Sequence, residues 1–229
     1  MDNMKHRVLN IYIGFDEAET TAYHTLSQSI IELASGPVRI SPICSKHFKK
    51  FFNRARDSKQ SNDFSFTRFL VPYLNDFDGH AIFMDCDMMF RGDIAELWEK
   101  RNYIYSVMCC KHDYEPKQDK FRGAKNEKFE KKNWSSMMIM NNSLCNRLTP
   151  EYVNEASGLD LHQFKWLPND HAIGSLDLEW NWLVGEYEYN SNAKNVHWTL
   201  GGPYFKDYSE SEYSDEWFNL YANTMKINL

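Results

Sequence analysis

The residues Asp85-Cys86-Asp87 follow the apolar run Ile82-Phe83-Met84. Side chains alternate faces along an extended strand, so Asp85 and Asp87 share one side and Cys86 points to the other. Two neighbouring carboxylates repel unless a proton or a cation lies between them. Paired oxygen donors suit a hard divalent ion, with magnesium or manganese the natural choice. The C-terminal end of a buried parallel strand is also where open α/β sheets bind ligands. The plain alternative is a strand end turning into solvent, where acids are common. A second candidate lies far downstream in Asn195-Val196-His197-Trp198-Thr199-Leu200-Gly201-Gly202-Pro203. Imidazole binds the same metals, so His197 is a candidate third ligand. The Gly201-Gly202-Pro203 turn lets backbone come close to a ligand. A lone histidine is otherwise an ordinary core or surface residue. A third candidate is Gly14-Phe15-Asp16, after the first apolar run. No G-x-G-x-x-G follows it. Such a turn either holds a nucleotide base through backbone groups and one acidic acceptor, or is a helix start capped by Asp16.

These residues need elements to position them. Val8 to Ile13 predicts a buried strand, and Glu17 to Ala34 has helical spacing with Ala22, Leu26, Ile30 and Leu33 on one side. Ser35-Gly36-Pro37 stops that helix, and Val38 to Ile43 predicts a second strand. Strand, helix and strand in that order predict a right-handed crossover in a parallel sheet. Residues 46–62 predict a short helix and a loop. Phe64 to Phe77 predicts a helix that Pro72 kinks or ends, and His80 to Met84 the strand that delivers Asp85. Further on come a helix over Ile94 to Lys100 capped by Asp93, a strand over Tyr103 to Cys110, and another over Trp134 to Met140. Pro150 opens a helix at its first turn. Residues 157–205 mix short strands and turns, and Ser211 to Met225 closes the chain as a helix with Trp217, Leu220 and Tyr221 inward. The lysine-rich stretch Lys111 to Asn133 is either a solvated loop or a lid over the substrates.

Bulk properties narrow the class. The 229 residues suffice for one sizeable core, and with no repeat or low-complexity linker they are taken as a single domain, 1–229. Aromatics make up 15% of the chain, serving either a core of large rings or a stacking surface. A net charge of -6 gives no reason to expect a nucleic-acid partner. No apolar stretch approaches the length of a membrane span, and no secretory signal is recognisable. The five cysteines are scattered without a C-x-x-C pair, as expected of reduced thiols in the cytoplasm.

Four blocks together resemble glycosyltransferase family eight and its short microbial and viral relatives. They are Ile11 to Asp16; Phe66 to Leu70 leading to Asp85-Cys86-Asp87; Trp134 to Asn142 with Leu167-Pro168-Asn169-Asp170; and His197 to Pro203. The resemblance implies an α/β GT-A fold, a nucleotide-binding sandwich whose mostly parallel, mixed sheet is flanked by helices. It implies a UDP-sugar donor, a hydroxyl acceptor on a carbohydrate or another molecule, a manganese or magnesium ion, and transfer of a hexosyl group with retention of configuration. Carried across, Asp85, Asp87 and His197 bind the metal. Asp16 meets the uracil, and Arg68, seventeen places before Asp85, meets the donor near its phosphates and sugar. Asn169 lies beneath the sugar's reacting face, with Asp170 beside it. Gly14, Phe15, Cys86, Ser135, Ser136, Gly201 and Gly202 complete the donor contacts.

There are departures from the family pattern. The family has Gly three places after the histidine and then Lys-Pro, whereas here Gly201 comes four places on and Lys206 follows the proline by three. Lys206 is therefore the stand-in for the phosphate-contacting lysine. Ser135-Ser136-Met137 replaces a frequent Asn-Ala-Gly and alters the sugar pocket. The residues leave three rival functions open. One is a nucleotide-sugar-binding protein without transferase activity. Another is a haloacid-dehalogenase-like phosphatase with Asp85 as nucleophile, although Met89 stands where those enzymes carry Thr or Val and the motif lies mid-chain. The last is a nucleotidyltransferase, whose Gly-rich loop Gly14-Phe15-Asp16 does not match.

Overall fold

The computed structural model describes residues 8–56, 60, 62–119, 126 and 128–226. Strands β1 (Leu9–Gly14), β2 (Val38–Ile43), β3 (His80–Met84), β5 (Val107–Cys110), β6 (Met137–Asn141) and β7 (Ile173–Leu176) form a six-stranded sheet in the order β2-β1-β3-β6-β5-β7. The β1–β2, β1–β3 and β5–β7 pairs are parallel, while β6 runs antiparallel to both β3 and β5. The sheet is therefore mixed, as expected. A run buried on both faces needs apolar residues throughout, and every residue of β3, β5 and β6 is buried.

The first helix, α1 (Thr20–Leu33), is preceded by a 3₁₀ turn at Glu17–Glu19. Ala22, Leu26 and Ile30 are buried against the sheet, but Leu33, expected on that face, sits at the helix end and is 41% exposed. The helix expected over Phe64 to Phe77 is instead a 3₁₀ turn (Thr67–Leu70) and a single turn, α2 (Val71–Leu74), with Pro72 in its first turn. Proline fits there because the first amides of a helix have no partner within it. The strand expected from Tyr103 starts only at Val107, because Asn102 to Tyr105 form a turn. Trp134–Ser136 is a 3₁₀ turn that leads into β6. Helices α3 (Ile94–Glu99), capped by Asp93, and α4 (Pro150–Glu155) follow the sequence expectation, and α5 (Gly158–His162) adds a short helix to the irregular stretch. Within the 111–133 segment, residues 120–125 and 127 lie outside the described residues.

A second, smaller sheet has the order β4-β9-β8, from β4 (Met88–Phe90), β8 (Trp182–Leu183) and β9 (Asn195–His197). It carries its own apolar cluster of Met89, Val184, Ala193, Val196, Trp198, Tyr213 and Trp217. The last helix, α6 (Ser214–Thr224), supplies Trp217 to it, with Leu220 and Tyr221 packed alongside.

Candidate active site

The two sheets meet immediately after β3. Asp85, Cys86 and Asp87 lie beyond its last residue, in the bend between β3 and β4. The Asp85 amide donates to Ser136 O at 2.8 Å, which extends the β3–β6 pairing by one residue. β4 then pairs antiparallel with β9, with Met88 opposite His197, and the Trp198 amide donates to Asp87 O at 2.9 Å. This register closes the long sequence gap. Ligand atoms of Asp85, Asp87 and His197 all lie within 4.8 Å of one another.

The histidine is held in one orientation. The Asn181 side-chain amide donates to Ser136 Oγ at 2.9 Å, so its Oδ1 faces His197 Nδ1, also at 2.9 Å. That arrangement places the imidazole proton on Nδ1 and leaves the Nε2 lone pair directed at Asp87, 3.2 Å away. A histidine whose Nδ1–H is anchored while Nε2 stays open is the usual form of a metal ligand. A lone pair facing a carboxylate oxygen is favourable only when a cation or a proton joins them. On the other side, Arg68 Nη1 pairs with Asp85 at 2.7 Å, and both residues are buried. Arg68 also donates to Ser65 O and Ser135 O, so its fork is held on three sides.

A further carboxyl lies behind the two aspartates. Glu19 is buried, accepts from Tyr204 Oη at 2.6 Å and lies 3.9 Å from Cys86 Sγ. Burial chiefly, then the charge of Asp87, pushes its pKa up to about 8, against the opposing Tyr204 hydrogen bond. Asp16 and Asp85 act in the same direction. Burial, reinforced by the same carboxyls, also holds the Cys86 thiol protonated. The corner therefore gathers four carboxyl groups, with Arg68 ion-paired to Asp85. This donor set fits a divalent cation. Glu19, Asn181 and Tyr204 were missed in the sequence. Only the three-residue spacing of Asp16 and Glu19 hinted at a second buried acid, and an acid in a helix's first turn is commonplace.

The other candidate residues are distributed around this corner. Asp16 caps the 3₁₀ turn through Ala18 N at 2.9 Å, and its other oxygen accepts from Asp63 N at 3.0 Å. Gly14 ends β1, and a Cβ there would lie 2.3 Å from the Phe64 ring. The Phe15 amide donates to Ile43 O. Ser135 Oγ meets His162 Nδ1 at 2.7 Å, and Ser136 Oγ donates to Asn133 O. Gly201 has φ +150°, and a Cβ on it would lie 2.7 Å from the Tyr208 ring, while one on Gly202 would lie 2.1 Å from Tyr204. These glycines thus accommodate the protein's own tyrosines. Lys206 is exposed in a 3₁₀ turn. Asn169 and Asp170 are exposed as well, Asn169 capping its own turn through His171 N and Asp170 pairing with Lys131 at 2.6 Å. Hydrogen bonds and ion pairs thus join Asp85, Asp87, His197, Arg68, Ser135 and Ser136 in one network, whereas Asp170 pairs with Lys131 and Asn169 caps its own turn.

Comparison with known proteins gives the geometry its context. Residues 1–149 match the family described as glycosyl transferase family 8. Protein CDI of Arabidopsis thaliana is 40% identical over 228 residues, covering 95% of this chain and 88% of that protein. Among solved structures, the bifunctional glycosyltransferase WbbM in its apo form superposes with a TM-score of 0.65 at 13% identity, over 98% of this chain and 51% of that one. The glycosyltransferase GlyE of Streptococcus pneumoniae TIGR4 gives 0.58 at 14% identity, over 96% and 61%. The galactosyltransferase LgtC, solved with donor and acceptor sugar analogues, gives 0.60 at 9% identity, over 96% and 98%. The chain thus spans about half the length of WbbM and under two thirds of GlyE. At such identities the likeness concerns the fold, and that fold is GT-A. No described helix is long and apolar enough to cross a membrane. The phosphatase and nucleotidyltransferase alternatives fall away with the match, for the chain belongs to glycosyl transferase family 8 and is a glycosyltransferase.

Proposed function

We propose that this glycosyltransferase uses a UDP-hexose donor and a divalent metal, manganese or magnesium, held by Asp85, Asp87 and His197. The observation that carries the reading is the anchored His197 tautomer, with Nε2 aimed at Asp87 and Nδ1 bound to Asn181. Such a metal, when bound, neutralises charge on the departing diphosphate. Arg68 holds the Asp85 carboxylate in place through their ion pair, and its guanidinium adds positive potential for the diphosphate. Lys206, exposed in the 3₁₀ turn that follows Gly201-Gly202-Pro203, is the second cation proposed for the same diphosphate. A buried, low-dielectric corner makes each of these charges count for more than it would in water.

The transfer breaks the bond between the sugar's anomeric carbon and the diphosphate oxygen. It forms a bond from that carbon to the acceptor oxygen, whose proton passes to the diphosphate. Asn169, an amide, is a weak nucleophile, so retention is read as departure and attack on the same face. Asp16 is proposed to meet the uracil, which requires it to share a carboxylate oxygen already accepting from Ala18 N or Asp63 N. Because the corner takes residues from both sheets, the 1–229 chain is proposed to act as one domain. The five cysteines are all free and buried, in keeping with a reducing, cytoplasmic setting.

The test is a panel of nucleotide sugars assayed for hydrolysis and for thermal stabilisation, with and without manganese. The expected result is stabilisation and slow hydrolysis with a UDP-hexose, both abolished by chelator. Equal responses to UDP- and GDP-sugars, or responses indifferent to chelator, would overturn the reading.

A further inference from the structure

The charge of the chain is unevenly placed. It holds 26 lysines and arginines against 32 acids, yet residues 46–56 contain five of the basic side chains (Lys46, Lys49, Lys50, Arg54 and Arg56) and no acid. A block of like charge is informative about partners and not about the fold. This block is firmly folded. Phe48 is buried, the Asn154 side chain on α4 donates to Phe51 O at 2.8 Å, and its oxygen accepts from Asn53 N and Arg54 N at 3.0 and 3.1 Å. The Arg54 guanidinium donates to Val153 O at 3.1 Å and lies 3.8 Å from the Phe66 ring centre. Those contacts turn Arg54 inward and leave Lys46, His47, Lys49, Lys50 and Arg56 exposed.

The exposed cations are only partly matched. Lys46 meets Glu17 at 2.5 Å and Arg56 pairs with Asp63, all four side chains being open to water. Such pairs contribute little and exchange readily for another anion. No ion pair joins Lys49 or Lys50 to any of the described residues. Partly buried rings lie among them. Phe51 is 5.6 Å from the Phe48 ring and 5.3 Å from that of Tyr73, which is 36% exposed. Rings packed against one another offer no free face for stacking a base, which single-stranded nucleic acid would need. Cations with apolar rings at their foot suit an anionic bilayer, where charge meets headgroups and rings meet the acyl boundary. The position suits it too. β1, β2 and β3 are parallel, so their C-terminal ends share one edge of the sheet. The basic segment follows β2 at that edge as Asp85 follows β3, two strands away or about 10 Å across the sheet. Its ion pairs with Glu17 and Asp63 flank the Asp16 turn, and Asp63 N donates to Asp16 at 3.0 Å.

We propose that this basic face is a docking surface for an anionic lipid bilayer, with the active-site edge of the sheet beside the membrane. The inference stands apart from the donor and metal reading, and its failure would leave that reading untouched. The net negative charge of the chain does not forbid it. Charges are screened beyond about 10 Å at 0.1 M salt, so the bilayer responds to the face that touches it.

The test sediments the full chain with vesicles of phosphatidylcholine alone and of phosphatidylcholine and phosphatidylserine in equal parts. The protein is expected to bind the second and not the first, and to be released near about 1 M salt, where the screening length is about 3 Å. Lys49→Gln and Lys50→Gln should each weaken the partition roughly fivefold, and Lys49→Glu with Lys50→Glu should abolish it. Lys100→Gln, outside the segment, should leave it unchanged. These positions are exposed, so the fold survives, and thermal midpoints check that it does. No binding to the serine-containing vesicles overturns the proposal, as do equal binding to both compositions and a parent-like partition of well-folded Lys49→Gln and Lys50→Gln proteins. Calorimetry with UDP on the same variants is expected to match the parent. Weakened UDP binding with unchanged vesicle binding would assign the lysines to the donor site and overturn the docking surface. Binding to single-stranded polyuridylate in place of vesicles would overturn it in favour of a nucleic-acid site.

Discussion

Asp85 and His197 reach the same corner from regions built in different ways. Asp85 extends β3, a central strand buried on both faces and paired on both sides, and the Arg68 fork holds its carboxylate. His197 ends β9, a strand of three residues in a three-stranded sheet backed by the smaller apolar cluster. Asp87 lies between them, joined to the second region through Trp198 N and His197. The difference teaches that one side of the site is set by the main core, while the other depends on a small cluster whose stability is local.

The largest effect should come from the aspartates, and it should separate them. Asp87→Ala is expected to reduce transfer by on the order of 10³-fold with little loss of thermal stability. Asp85→Ala should lose as much activity and also destabilise the fold by about 3–5 kcal/mol, because it leaves Arg68 buried without its carboxylate. Denaturant titration beside the activity assay distinguishes the two. Equal stability of both variants would contradict the division between the regions.

Cavities should discriminate next. Ile82→Ala in the main core and Trp217→Ala in the small cluster should each cost roughly 3–5 kcal/mol, as large-to-small core changes do. Only Trp217→Ala is expected to raise the manganese concentration needed for half-maximal activity, because only it loosens the sheet that carries His197. Asn181→Leu, which removes the anchor on Nδ1, should weaken manganese binding by about 10–100-fold, read by calorimetry.

The smallest effect is a pH slope from Glu19. Its folded pKa of about 8 lies above the ordinary 4.5. Between those values the folded protein keeps a proton that the unfolded chain releases, so metal-free stability should fall as pH rises through this window and level off above it. Glu19→Gln should flatten the slope, since the amide oxygen still accepts from Tyr204. Denaturation midpoints across that window check the sign.

Legibility in the sequence followed the same division. The central strands announced themselves because β3, β5 and β6 are apolar and buried almost throughout, and α1 has a clean stripe of Ala22, Leu26 and Ile30. Asp85 and Asp87 were visible because they interrupt such a run. The small sheet was not visible, since Trp182–Leu183 and Asn195–His197 are too short for any periodicity to register. Its pairing with β4 is a long-range register that no local pattern encodes. His197 was found through the turn that follows it, yet that turn's glycines are accounted for by Tyr204 and Tyr208. Glu19, Asn181 and Tyr204 escaped notice because only folding brings them beside the aspartates and His197.

The central claim is that two sheets jointly build one divalent-metal site for a nucleotide-diphosphate donor. Its most direct test is manganese binding in the presence of UDP, measured by electron paramagnetic resonance on the parent and on His197→Ala. The account predicts one bound ion in the parent and at least a roughly tenfold weaker one in the variant, the loss expected when a ligand or its anchor is removed. Identical manganese affinity in the two proteins would show that His197 is a turn residue and that the small sheet contributes nothing to the metal.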